Sequence, residues 1–161
     1  MVEAADLVDH SARGMSSMSS RDEENVATVR QVYEALNRKD LVAWAALCAP
    51  GYVIHFPGAP PLSAEAIQPL FASFFAVFSD LRHDVAEVWG AGDRVAARLS
   101  LRGTHDGPFQ GMPATGRSID VVLLNLFRMA DGRMAEQWIQ FDGVGMLQQL
   151  GALPAPAPVA G

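Results

Sequence analysis

Four runs, 84–89, 94–105, 117–128 and 133–142, alternate apolar and polar residues with a period of two, and this constrains the fold more than any other feature of the chain. Successive residues of a strand point to opposite sides, so each run reads as a strand with one buried face. Turn signals separate the runs: Gly90 and Gly92 after the first, Asp131-Gly132 before the last. An Asp-Gly pair suits a two-residue type I′ hairpin, in which both central residues need positive φ. Upstream the period changes. Ser20 and Glu23 fit a capping box, and Val26, Val29, Val32, Tyr33 and Leu36 then recur at helical spacing. A shorter helix is predicted over 41–48, stopped by Pro50-Gly51, then a short strand over 52–56, ended by Pro57-Gly58. Ser63 can cap a third helix carrying Ile67, Leu70, Phe71, Phe74, Phe75 and Phe78. Helices first and an antiparallel meander afterwards imply an α+β fold.

Facing residues follow from the turn. With a regular hairpin at Asp131-Gly132, Ala130 faces Arg133, and counting outward pairs Asn125 with Trp138, Leu123 with Gln140 and Val121 with Asp142. One face then carries Ile119, Val121, Leu123, Asn125 and Phe127 beside Glu136, Trp138, Gln140 and Asp142. The other carries Val122, Leu124, Leu126, Ile139 and Phe141. The first mixes an apolar floor with a few polar groups, as ligand pockets do. The second is almost wholly apolar, and such a patch needs a cover. A homodimer packed sheet to sheet is expected, the alternative cover being a loop or the C-terminal tail. A bulge in either strand would exchange the two faces. In the run after Asp93, Val95, Ala97, Leu99 and Leu101 should face the helices, with His105 on the same side.

Composition narrows the partners. The net charge is −6 and half the residues are apolar, which argues for a soluble protein and against nucleic acid or a membrane surface as partner. Gln68, Pro69 and Ser73 interrupt the longest apolar stretch, short of the ~20 residues that span a bilayer. With no basic-then-apolar secretory segment at the start, the expected location is cytoplasmic. Residues 1–20 read as a disordered leader, 21–153 as one domain and 154–161 as a disordered Pro/Ala tail. The lone Cys48 reads as a small buried side chain, and the four histidines, His10, His55, His83 and His105, stand apart from one another, so no metal site is expected.

The segment Gly103 to Arg117, then Phe127-Arg128 and Asp131-Gly132-Arg133, then Glu136, Trp138 and Asp142, and Leu147 to Gly151, resembles the SnoaL-like polyketide (ester) cyclases of the nuclear-transport-factor-2-like superfamily. The resemblance covers roughly 23–151. It implies a cone-shaped barrel, a strongly curved and mostly antiparallel sheet with three N-terminal helices packed in its concave face. It also implies cofactor-free ring closure of an aromatic polyketide ester by intramolecular aldol condensation, with Asp142 at the position of the family's general acid and base. Where many relatives have His, this chain has Gln137 or its neighbours, and Gln137 falls on the outer face in the register above.

An aldol closure needs a base beside a carbonyl, donors for the enolate and an acid for the new alkoxide. Asp142 can shuttle that proton if the apolar floor desolvates it, because burial raises a carboxyl pKa; otherwise it caps the turn that starts near Gly143. Asn125 and His105 are the other catalytic candidates, as an oxyanion donor and a carbonyl-polarising group, each with a structural alternative. Tyr33, His55, Phe71, Phe75, Trp138 and Gln140 are the candidate substrate contacts, and His83, beside Asp84 at a strand start, reads as surface. Limonene-epoxide-hydrolase chemistry is disfavoured because Ala97, Leu99 and Leu101 stand where an inward Arg and Asp would be needed. Ketosteroid-isomerase chemistry is disfavoured because His55-Phe56 stands where the base would be. The remaining alternative is a non-catalytic ligand-binding or assembly module.

Overall fold

The computed structural model describes residues 19–154, so the expected leader and tail lie outside the described residues apart from Ser19, Ser20 and Pro154 at their inner edges. Helix α1, Ser20–Asn37, starts one residue earlier than the sequence suggests. Ser19, not Ser20, is its cap, and the capping box closes on Asp22. Asp40 caps α2, Leu41–Ala46, and Ser63 caps α3, Ala64–Val77, as its hydroxyl accepts from Ala66 N. The strands are β1, Cys48–His55; β2, Leu62–Ser63; β3, Arg82–Ala91; β4, Arg94–Thr104; β5, Ser118–Ala130; and β6, Arg133–Phe141. A last helix, α4, Gly143–Leu150, follows β6 directly.

These strands form one open sheet in the order β2-β1-β6-β5-β4-β3, in which only β1 and β6 run parallel. The α+β architecture is the expected one, with the sheet unclosed, as a cone allows. One apolar core unites α1 (Val29, Val32, Leu36) with β4 (Val95, Ala97, Leu99) and β5 (Ile119, Val121, Phe127). The inward face predicted for β4 is therefore correct. Cys48 is buried against Trp44, and burial pushes its thiol up to about 12.

The turn at Asp131-Gly132 has φ of 50° and 73°, as a type I′ hairpin requires, and Ala130 does face Arg133. The pairing then departs from the regular count. Met129 faces Met134, yet Arg128 faces Glu136, so Ala135 is an extra residue in β6. Beyond this bulge every β6 side chain changes sides. Asn125 faces Ile139, Leu123 faces Phe141 and Leu126 faces Trp138, in place of the predicted Asn125–Trp138 and Leu123–Gln140 pairs. Gln137, Ile139 and Phe141 consequently point inward, while Glu136, Trp138 and Gln140 point outward. A second bulge, at Ala86 in β3, leaves His83 opposite Leu101 and Val85 opposite Leu99, both on the inner face.

Candidate active site

Between α1, α3 and the inner face of the sheet lies a cavity of about 830 Å³ including its open mouth. That is the size range of small-molecule sites. Its wall is mostly aromatic and aliphatic: Phe71, Phe74 and Phe75 of α3 face Val121, Leu123, Ile139 and Phe141 of the sheet. Pockets of this composition take flat, apolar molecules, because the stabilisation comes from removing apolar area from water. Tyr33, His83, Asn125 and Gln137 also line it, whereas no Asp, Glu, Lys or Arg does among the described residues.

The buried amides and phenols form a directed chain. Tyr52 donates to Gln137 Oε1 at 2.6 Å, Gln137 Nε2 points to Asn125 Oδ1 at 3.4 Å, and Asn125 Nδ2 donates to the Tyr33 hydroxyl at 3.0 Å. Each partner sits where the fold dictates: Tyr33 on the inner face of α1, Asn125 at mid-β5, Gln137 beyond the bulge, and Tyr52 two residues from Ile54, which pairs with Gln137. The Tyr33 hydroxyl accepts from Asn125, and its own proton has no acceptor among the described residues. Burial raises the pKa of both phenols, so Tyr33 and Tyr52 stay protonated at neutral pH. The chain is thus a set of neutral donors that ends on an available O–H.

His83 half-buries its ring beside that of Tyr33, the centroids 5.8 Å apart. Desolvation lowers its pKa to about 4, which keeps the imidazole neutral. The reading of His83 as surface is therefore corrected. A signal was present: Val85 and His83 are two apart in one strand, so an inward Val85 carries His83 inward with it.

The remaining sequence candidates separate. Tyr33, Phe71, Phe75 and Asn125 are on the cavity wall. Trp138 and Gln140 are not, because the bulge turns them outward; Trp138 stacks on His55 at 5.2 Å and has the Arg94 guanidinium 5.8 Å from its ring centroid. His55 is likewise off the wall, its Nε2 2.8 Å from Glu136 Oε1, and its neighbour Phe56 lines the cavity instead. That bond and Arg128 hold the Glu136 carboxyl below the usual range.

His105 is fully buried on the inner side of the sheet, as expected, but packs between Phe78 and Phe109 outside the cavity wall. Its Nδ1 accepts from Thr115 N at 3.3 Å, and its Nε2 has no hydrogen-bond partner. Asp142 is exposed and off the wall, although Phe141 and Met146 on either side line it. Its Oδ1 accepts from Gly145 N at 2.8 Å, and a β-carbon at Gly145 would collide with its carboxylate. Asp142 is the N-cap of α4, the second of its two readings. Sequence reasoning missed Gln137, Tyr52 and His83.

No described helix is long and apolar enough to cross a membrane, and no described group of three or more His, Cys, Asp or Glu is placed to hold a metal ion. Two curated relatives are similar over most of the chain. Aklanonic acid methyl ester cyclase DnrD of Streptomyces peucetius is 34% identical over 110 residues, covering 68% of this chain and 74% of that one. Aklanonic acid methyl ester cyclase DauD of Streptomyces sp. strain C5 is 33% identical over 139 residues, covering 81% and 83%. Among solved structures, IdmH of Streptomyces antibioticus superimposes with a TM-score of 0.74 at 38% identity, covering 79% of this chain and 98% of that one. The profile of the SnoaL-like polyketide cyclases matches residues 27–150, so with an apolar cavity and these relatives the chain belongs to that family.

Proposed function

We propose that this protein closes a ring of an aromatic polyketide ester by intramolecular aldol condensation, without a cofactor, as a cytoplasmic homodimer. The observation that carries the reading is the apolar cavity whose neutral hydrogen-bond chain ends on the Tyr33 hydroxyl. When a C–H beside a carbonyl loses its proton, negative charge gathers on the carbonyl oxygen. A fixed O–H aimed at that oxygen in a dry site stabilises the enolate more than the ketone, and this difference accelerates the reaction. Asn125, Gln137 and Tyr52 hold Tyr33 in place and polarise its O–H. The aromatic walls fold the chain so that the enolate carbon and the target carbonyl meet, which makes the ring closure a matter of positioning. The name shared by DnrD and DauD points to a methyl ester of the aklanonic acid kind as the substrate class.

The geometry argues against Asp142 as the proton shuttle. Its carboxylate is exposed and committed to capping α4. For the dimer, the support is the convex sheet face, where Val122, Leu124 and Leu126 are exposed beside Trp138. Ile139 and Phe141, expected on that face, are on the cavity wall instead.

Single-turnover conversion of aklanonic acid methyl ester, with no metal or cofactor added, tests the reading. Wild type should give cyclised product, and Tyr33→Phe should slow it by about 10²–10³-fold, the usual cost of one oxyanion donor. No conversion by wild type, together with a rise in melting temperature on adding the ester, would replace the cyclase by a binding role.

A further inference from the structure

We infer that His83 is the base and acid of this cavity, oriented for that work by Asn37; the assignment rests on the cyclase reading. The cavity offers no carboxylate on its wall among the described residues, so a proton acceptor must come from a neutral group. The phenols are ruled out by their raised pKa values, and amides are not bases. His83 remains.

Asn37, the last residue of α1, pairs with His83 much as a neighbouring strand would. Its Oδ1 accepts from His83 N at 2.7 Å and its Nδ2 donates to His83 O at 3.0 Å, so the amide orientation is fixed by two main-chain partners. The same Oδ1 lies 3.2 Å from His83 Nδ1. An amide oxygen only accepts, so Nδ1 carries the hydrogen and Nε2 carries the lone pair. Nε2 makes no hydrogen bond to any described residue. Tyr33, the oxyanion donor, is the ring beside it.

Charged groups ring the other side of the imidazole. Arg30, Glu34 and Asn37 of α1, Arg82 and Asp84 of β3 and Arg102 of β4 line a polar depression that shares Tyr33 and His83 with the cavity. Arg82 and Arg102 are each paired to Asp84, the latter also to Asp120. Asp84 favours the imidazolium, but desolvation outweighs it. The ring therefore divides an apolar chamber from a charged surface and is neutral at rest.

The proton balance closes on one residue. Nε2 takes the C–H proton; the C–H pair moves to the enolate, whose oxygen is held by Tyr33. The enolate carbon forms the new C–C bond, and the π pair of the attacked carbonyl becomes an alkoxide. The imidazolium returns its proton to that alkoxide. Nothing is oxidised or reduced, and the product is an isomer of the substrate. Desolvation makes the imidazolium a readier proton donor than a free one, which favours the last step, while Nδ1–H still donates to the Asn37 oxygen throughout.

The test uses full-length protein and aklanonic acid methyl ester. His83→Ala should still bind the ester, read by intrinsic fluorescence, while single turnover falls by 10²–10⁴-fold and added imidazole restores part of it. Asn37→Asp puts a carboxylate on Nδ1, so the acid limb of kcat/KM should move up by at least one pH unit, a shift that a purely structural role would not produce. If wild type binds the ester and converts none, the cyclase reading fails and takes His83 with it. If wild type converts it and folded His83→Ala stays within tenfold, only the His83 assignment fails. Should His83→Ala not fold, ¹⁵N spectra of wild type decide: Nδ1 protonated and Nε2 bare from pH 6 to 8 support the assignment, and an imidazolium or the opposite tautomer overturns it.

Discussion

On the inner face of the β5–β6 hairpin, Asn125, Gln137 and Ile139 are 4%, 5% and 7% exposed; on the outer face of the same strands, Val122, Leu124 and Leu126 are 51%, 54% and 42% exposed. The inner polar groups are neutral and bond to one another. The outer ones include paired charges, Arg128 on Glu136 and Arg102 on Asp120. The difference follows from solvation: a buried charge costs far more than a buried amide whose hydrogen bonds are met. It also teaches that two faces with opposite demands can share one backbone, with a single extra residue deciding which side chain serves which.

A charge on the inner face should break the comparison most severely. Ile139→Lys would place an ammonium opposite Asn125 and remove a large apolar side chain whose burial is worth ~1.5–3 kcal/mol; with the desolvation of the charge the loss is on the order of 5 kcal/mol, comparable with the stability of a whole domain. Thermal denaturation should show no cooperative transition near that of wild type; a native-like melt would mean that Ile139 does not face the core. Deleting Ala135, by contrast, leaves Arg128 opposite Glu136 and Phe127 opposite Gln137 with no extra residue, so the faces should be kept and the melt should stay cooperative.

A smaller effect separates neutral from charged groups by pH. The folded-state pKa of His83, about 4, lies below the unfolded value near 6.5, so the unfolded chain binds the extra proton first as pH falls. Stability contributed by the neutral ring is complete above about pH 6.5 and is lost between there and about 4. At ~1.4 kcal/mol per unit, and with the ring in partial contact with solvent, the loss is on the order of 2 kcal/mol. Urea titrations should show that slope in wild type and a flatter one in His83→Gln. Equal slopes would mean that the ring is not desolvated.

At the cap, Asp and Asn serve alike as N-caps, so Asp142→Asn should change stability by less than about 0.5 kcal/mol, while Asp142→Ala should cost ~1 kcal/mol. Leu124→Lys, on the outer face, should leave the melting temperature nearly unchanged and shift the mass in sedimentation from dimer to monomer. A wild type that sediments as a monomer would remove the homodimer from the account.

Period-two alternation made β3 to β6 legible, and the Asp131-Gly132 pair located the hairpin, because both signals are local. Ala135 was not legible: a bulge is decided by how β6 meets β1 and β5 together, and a small residue in a strand announces nothing. That one position misassigned Trp138, Gln140, Ile139, Phe141 and Gln137. Asn125 and Tyr33 were found because their faces depend on β5 and α1, which lie on the near side of the bulge. Asn37 gave no signal, since its role exists only where the end of α1 meets the start of β3, 46 residues later.

The most direct test sets two variants side by side, His83→Gln and Asp142→Asn, in single-turnover cyclisation of aklanonic acid methyl ester with ester binding measured on each. The account predicts that both bind, that Asp142→Asn stays within about threefold of wild type, and that His83→Gln falls at least about 100-fold. The reverse order, with Asp142→Asn inactive and His83→Gln near wild type, would contradict it and return the chemistry to the end of the last strand.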